Sequence, residues 1–198
     1  MRLFIAIDID DDIRERLVRF VEGVRGFAPD ARWSKPESLH VTLKFIGEQP
    51  DAAVESIKQA LATVQAESTA IHFRGYGFFP TATSARVFWI GMDAGPKLAA
   101  LAAAIDDKMP ALGIAKEVRA FSPHLTLARS GRSATPHRMK HDRAKRAFAH
   151  LQEKLAVLPT PDFGTLMPRE FFLYQSQLSP KGSKYTKLAR FPLQTEKG

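Results

Sequence analysis

The chain opens on an apolar run inside RLFIAIDI (2–9) and turns acidic at Asp10, Asp11 and Asp12. A short apolar run bounded by polar residues reads as a strand, and the three aspartates suit the mouth of a helix. Ile13, Leu17, Phe20, Val21 and Val24 then recur at helical spacing, and Gly26 lies near the stop. SLHVTLKFIG (38–47) alternates and is β-branched enough for a strand, closed by Gly47 and Pro50. Asp51 is placed to cap a second helix carrying Val54, Ile57, Leu61 and Val64 on one face.

Two strands follow, AIHFRGYGFF (70–79) and ARVFWIGM (85–92), separated by the turn-like PTATS. A third helix is predicted after Gly95-Pro96, with Leu98, Leu101, Ile105 and Met109 as its stripe. EVRAF (117–121) and HLTLAR (124–129) read as further strands. The polar stretch SGRSATPHRMKH leads into a fourth helix with Ala144, Phe148, Leu151, Leu155 and Leu158 on its buried stripe. EFFLYQSQL and YTKLARFPL end the chain as a hairpin around SPKGSK, where Gly182 can take a positive φ. Interleaved helices and adjacent strand pairs predict an α+β fold with antiparallel pairing, not a doubly wound parallel sheet. No low-complexity linker divides residues 1–198, so a single domain is expected.

Composition narrows the chemistry. There is no cysteine, which excludes disulfides, thiol nucleophiles and thiolate zinc sites. No stretch approaches 18 consecutive apolar residues, and the N-terminus lacks a signal-peptide layout, so no membrane partner and a cytoplasmic location are expected. A net charge of +8 favours polyanions, phosphate esters or nucleic acid.

One pattern stands out. Ser-x-His-apolar-Thr-Leu occurs at 38–43 and again at 122–127. Six histidines and eleven threonines in 198 residues predict roughly 0.3 His-x-Thr pairs by chance, and two are present with matching flanks. On a strand, residues i and i+2 share a face, so His40 projects with Thr42 and His124 with Thr126. Val41, Leu43, Leu125 and Leu127 face the other side. Two such ledges facing one another give two imidazoles and two hydroxyls. That set suits phosphodiester hydrolysis: one imidazole accepts a proton from water, the other donates to the departing oxygen, and hydroxyls hold the phosphoryl oxygens. The two words are chemically alike and do not by themselves say which histidine is donor. Two histidines without a third ligand do not indicate a metal site.

The paired words resemble the 2H phosphoesterase superfamily, and within it the LigT-like RNA 2',3'-cyclic phosphodiesterases. The resemblance extends over RLFIAIDI, RW before SLHVTLKFIGE, SPHLTLAR and LYQSQLSPKGSKYTKL. It implies two pseudo-symmetric lobes of mainly antiparallel sheet with outer helices, and His-x-Thr-x strands lining a central cleft. It implies hydrolysis of RNA 2',3'-cyclic phosphate ends to 2'-phosphates, with no cofactor and no metal. His40 then corresponds to the proton donor and His124 to the acceptor, while Thr42 and Thr126 correspond to phosphate-contacting threonines. RNA ends or 2',3'-cyclic nucleotides are the implied partners, and a monomer is expected. Joining RNA ends through a 2'-5' linkage at the same site, or a basic RNA-binding module without catalysis, are the alternative readings.

Further candidates sit near these words. Arg129 matches the basic residue after the second motif and can clamp phosphate, but its odd offset from His124 requires a bulge or a strand end. Lys44 has the right parity to join His40 unless the strand bends. Residues 129–146 hold seven Lys/Arg against one acid, which suits a basic flap tracking RNA or a solvated loop leading into a helix. His137 and His141 belong to that polar segment, and His72 and His150 lack a partner word. Of the nearby aromatics, Trp33 and Tyr185 are candidates for stacking on a base, while Phe45 and Phe121 are expected in the core.

Overall fold

The computed structural model describes residues 1–131, 147–179 and 182–195. The elements run β1 (Arg2–Asp8), α1 (Asp11–Val24), β2 (Ala31–Trp33), β3 (His40–Glu48), α2 (Ala53–Ala62), β4 (Ile71–Phe79) and β5 (Val87–Asp93). They continue with α3 (Gly95–Lys108), β6 (His124–Ser130), α4 (Ala149–Ala156), β7 (Asp162–Leu166), β8 (Glu170–Ser179) and β9 (Gly182–Pro192). Two sheets result, ordered β3-β1-β8-β9 and β2-β6-β5-β4-β7, and all their pairings are antiparallel. This is the α+β architecture expected from the pattern.

The sheets exchange strands. β8 and β9, late in the chain, complete the sheet that begins with β1, and β2 crosses to the edge of the other. β1 is central in its sheet, and Leu3 to Ile7 are all buried, which is why its sequence does not alternate. Its Leu3, Ile5 and Ile7 join Phe73, Phe88, Ile90 and Leu125 of the second sheet in one continuous core. Phe4 and Ala6 instead join a small cluster with Phe172 and Tyr174 on the other face. Helices α2 and α3 pack on β9 and β3, and α1 lies against β7.

Several local expectations change. Asp10 caps α1, accepting from the Ile13 N–H at 2.9 Å. Asp51 does not cap α2 with its side chain; its carboxylate lies 3.6 Å from the N-terminal ammonium. EVRAF is not a strand: residues 117–121 form an irregular approach to β6, tied down where Asp106 accepts the Glu117 N–H. β2 and β7, of three and five residues, were too short for periodicity to reveal. Ala144, His137, His141 and the basic stretch 132–146 lie outside the described residues, as does the turn 180–181.

The two histidine strands share one irregularity. In β3, Ala6 pairs with Thr42 and Ile5 with Lys44, so Leu43 is an extra residue. In β6, Trp89 pairs with Thr126 and Phe88 with Ala128, so Leu127 is extra in the same place. Each bulge reverses the side-chain parity downstream. The burial sequence from histidine to the fifth residue beyond is then identical in both strands: half-buried, buried, half-buried, buried, buried, exposed.

This reversal decides Lys44 and Phe45. Lys44 turns away from His40 into the core, where its ammonium donates to Asp106 Oδ1 at 2.5 Å and to the Ala115 carbonyl at 3.1 Å. Phe45, expected in the core, is 59% exposed. Breaking a buried pair leaves the partner charge uncompensated. Lys44→Met is therefore expected to lower unfolding stability by about 3 kcal/mol, and Phe45→Ala by less than about 1 kcal/mol. Urea titrations of the three proteins check this, and equal losses would contradict the reversed parity.

Candidate active site

His40 and His124 are each the first residue of a strand. The chain before them is built alike. His40 Nδ1 lies 2.7 Å from the Ser38 carbonyl and His124 Nδ1 lies 2.8 Å from the Ser122 carbonyl. With Nδ1–H donating to a carbonyl, the free nitrogen of each ring is Nε2. The serine two residues ahead of each histidine therefore acts through its backbone and sets the tautomer. β3 and β6 approach within 8 Å between Cα atoms. Ser34 ties the two halves together, because its N–H donates to the Leu127 carbonyl at 2.7 Å and its hydroxyl to the Thr126 carbonyl at 3.1 Å. The segment that delivers His40 is thus hydrogen-bonded to the bulge of the other motif strand.

The bulge also meets the condition set for Arg129. Leu127 is the extra residue, so Arg129 comes round to the face of His124 and Thr126 and remains exposed. Its charge and that of His124 both act on His40, lowering its proton affinity. Phe45 occupies the position in β3 that Arg129 occupies in β6, and its ring lies 6.1 Å from Phe4 on the His40 side.

The half-sites match in backbone and differ in side chains. Asp8 stands opposite His40, whereas Gly91 stands opposite His124. Ala6 stands opposite Thr42, whereas Trp89 stands opposite Thr126. The Trp89 indole lies flat over β4 because residue 77 is glycine; a Cβ there would fall 2.2 Å from the ring. Phe79 and Trp89 wall His124 at ring distances of 5.0 and 6.2 Å. Phe4 and Tyr185 wall His40 at 4.8 and 5.2 Å.

Burial among these rings dominates the electrostatics of His40 and holds its pKa at about 4, below histidine's ordinary value. The Ser38 carbonyl and the Asp8 carboxylate act the other way. Asp8 is itself held by cations: Oδ1 accepts from Arg14 at 2.9 Å and Oδ2 from Lys187 at 2.6 Å. These three residues with Tyr174 and Tyr185 line a groove of about 470 Å³ beside His40. Burial and the neighbouring Asp8 raise the Tyr174 pKa, so its hydroxyl stays protonated. Among the described residues no cluster of three or more His, Cys, Asp or Glu is arranged to hold a metal ion, and no helix is long and apolar enough to cross a membrane.

The family model for LigT like Phosphoesterase matches the chain twice in succession, over residues 7–89 and 90–185. The chain belongs to that family. Each match contains one of the two histidine words, as the matched half-sites require. Curated relatives of this LigT-like phosphoesterase include an Archaeoglobus fulgidus protein named RNA 2',3'-cyclic phosphodiesterase, 33% identical over 191 residues, with 96% of this chain and 99% of that protein covered. A Thermus thermophilus protein of the same name is 32% identical, covering 100% of this chain and 93% of that one. Among solved structures, E. coli LigT complexed with 3'-AMP superposes with a TM-score of 0.75 at 26% identity, covering 97% of each chain.

Sequence reasoning missed Asp8, Phe4, Tyr174, Phe79 and Trp89, which reach this LigT-like site only through strand pairing. Of the four aromatics it weighed, it misjudged Phe45 and Trp33. Trp33 is not free to stack on a base: its ring meets Phe88 edge-on at 5.9 Å and its N–H donates to the Ala28 carbonyl. Tyr185 does lie beside His40, and Phe121 packs half-buried against the core. His72 pairs with Asp162 across β4 and β7, and His150 is exposed near Glu153.

The pKa of His40 sets a stability signature. The folded protein binds this proton only near pH 4, while the unfolded chain binds it near histidine's ordinary value of about 6.5. Its contribution is therefore complete above pH 6.5 and is lost as pH falls through the window down to about 4. His40→Asn, which keeps a donor for the Ser38 carbonyl, is expected to flatten that loss. Urea midpoints at pH 7 and pH 5 for both proteins measure it.

Proposed function

We propose that this protein hydrolyses 2',3'-cyclic phosphate ends of RNA, or 2',3'-cyclic nucleotides, to 2'-phosphates without a metal ion. The observation that carries this reading is the pair of imidazoles in matched backbone settings, each with Nδ1 engaged and Nε2 available for proton transfer. The names of the relatives support the substrate class. Because each sheet is completed by strands from the other half of the sequence, residues 1–198 act as one catalytic domain, which we take to be a cytoplasmic monomer.

The chemistry follows from the residues. Thr42, Thr126 and Arg129 hold the non-bridging phosphoryl oxygens and favour the five-coordinate state, in which their negative charge is greatest. His124 Nε2 accepts a proton as a water oxygen attacks phosphorus. The P–O3' bond breaks, and His40 gives its proton to O3', leaving a 2'-phosphate and a 3'-hydroxyl. The difference between the half-sites supports this direction. A carboxylate faces His40 and a glycine faces His124, so only the His40 side has an opposed anion that offsets part of the cost of its imidazolium. Burial keeps His40 neutral in the protein alone, and the arriving phosphate charge joins Asp8 in raising its proton affinity.

With excess EDTA, wild type is expected to convert a cyclic-phosphate-ended oligonucleotide to the 2'-phosphate, read by mass spectrometry and phosphatase-coupled mapping. His40→Ala and His124→Ala are each expected to lower kcat by about 10²-fold or more. A 3'-phosphate product, or full activity in either variant, would overturn the two-histidine reading. Asp8→Asn removes the charge opposite the donor while keeping its shape. The alkaline limb of the kcat profile, which reports the substrate-bound protein, is then expected to move to lower pH, and an unmoved limb would remove Asp8 from this role.

A further inference from the structure

Several charged side chains beside the site and core are paired: Arg14 and Lys187 engage Asp8, Lys44 engages Asp106, and His72 engages Asp162. Two adjacent arginines are arranged differently. Arg32 of β2 stands directly opposite Arg129 of β6 in the register that runs from Ala31↔Ser130 to Trp33↔Ala128 without a shift. Directly opposed residues of an antiparallel pair project from the same face. Trp33 and Ala128 point into the core, toward Phe88, so Arg32 and Arg129 both project from the opposite face. The Leu127 bulge makes that the face of His124 and Thr126.

Both arginines are exposed, and among the described residues neither has a carboxylate within 4.0 Å or a side-chain hydrogen bond. Like charges directly opposite one another on a sheet destabilise it. Trp33 and Ala128 anchor this short pairing through the core and hold the two arginines directly opposite one another on one face. Such an arrangement suits two neighbouring anions or one shared anion. The two positions are not equivalent. Arg129 lies near enough to act on His40, whereas Arg32 is one strand further out and exerts no resolved influence there.

We infer that Arg32 binds the internucleotide phosphate immediately 5' of the cyclic end, next to the phosphate held by Arg129. This rests on the cyclic phosphodiesterase reading above and adds a substrate distinction to it. A mononucleotide has no such phosphate, whereas an RNA end does. The site then reads a polymer end through two successive phosphates, one reacting and one positioning. It does so without contacting a base, so the preference is independent of sequence.

Arg32→Gln tests the inference on two substrates, adenosine 2',3'-cyclic phosphate and a dinucleotide ending in the same cyclic phosphate. The expected result is a roughly ten-fold loss of kcat/KM on the dinucleotide, with the mononucleotide within about two-fold of wild type. The salt dependence of dinucleotide turnover should weaken by about one charge. Arg32→Lys should recover part of the loss as a point charge. Relief of the opposed charges should leave the ligand-free Arg32→Gln protein at least as stable as wild type. Equal losses on both substrates would move Arg32 to the reacting phosphate, and no loss on either would remove it from binding; both overturn the inference. If wild type turns over neither substrate, the hydrolase reading fails. Binding of a dinucleotide ending in a 2'-phosphate, compared with adenosine 2'-phosphate, then still decides the inference, which requires a selective loss of dinucleotide affinity in Arg32→Gln.

Discussion

One extra residue at the same place in each motif strand, three beyond the histidine, determines which side chains meet at the centre of this protein. Strand alternation alone carries His40 and Thr42 to one face and would carry Lys44 with them. The bulges at Leu43 and Leu127 stop that progression after two residues. They send Lys44 and Ala128 to the core and Phe45 and Arg129 to the site face. The same distortion lets Ser34 reach the freed carbonyls of Thr126 and Leu127 and tether one half-site to the other. A bulge is usually a local accommodation; here the faces taken by Lys44, Phe45, Ala128 and Arg129 depend on it.

Around that shared backbone, the halves diverge in ways that remove the symmetry of the site. The His40 side has an acid opposite the imidazole and an exposed phenylalanine beyond the bulge. The His124 side has a glycine opposite, a flat indole beside the threonine, and an arginine beyond the bulge. Two imidazoles with identical tautomer restraints thereby acquire different electrostatic surroundings. A symmetric pair would have no preferred donor, and the substitutions around the frame remove that symmetry.

Stability and chemistry are opposed at two points. His40 lies among Phe4, Tyr174 and Tyr185, which excludes water but penalises its charged form. Arg32 and Arg129 stand directly opposite one another with no carboxylate of the described residues within 4.0 Å, on a strand pairing of only three residues. Under the proposed function both arrangements gain their value from a bound phosphate, which would favour the imidazolium and relieve the opposed arginine charges. Lys44 shows the contrast: its charge is buried against Asp106, fully engaged and closed to a ligand.

Much was legible along the chain. Period-2 and period-3.6 patterns located the long strands, the four α-helices of the described residues and the closing hairpin, because a half-buried element must repeat its apolar positions at its own spacing. The duplicated Ser-x-His-apolar-Thr-Leu words identified the four central side chains and the family, since those residues are contiguous in sequence. What stayed hidden was whatever depends on pairing between distant segments. Asp8 lies opposite His40, Trp89 opposite Thr126 and Arg32 opposite Arg129 only because strands 30 to 100 residues apart share a register. The aromatic errors have the same origin: a bulge exposes Phe45, and the partner of β2 turns Trp33 inward. Local sequence determined which residues are the candidates for the chemistry; register and bulges, set by packing across the whole core, decided which neighbours surround them.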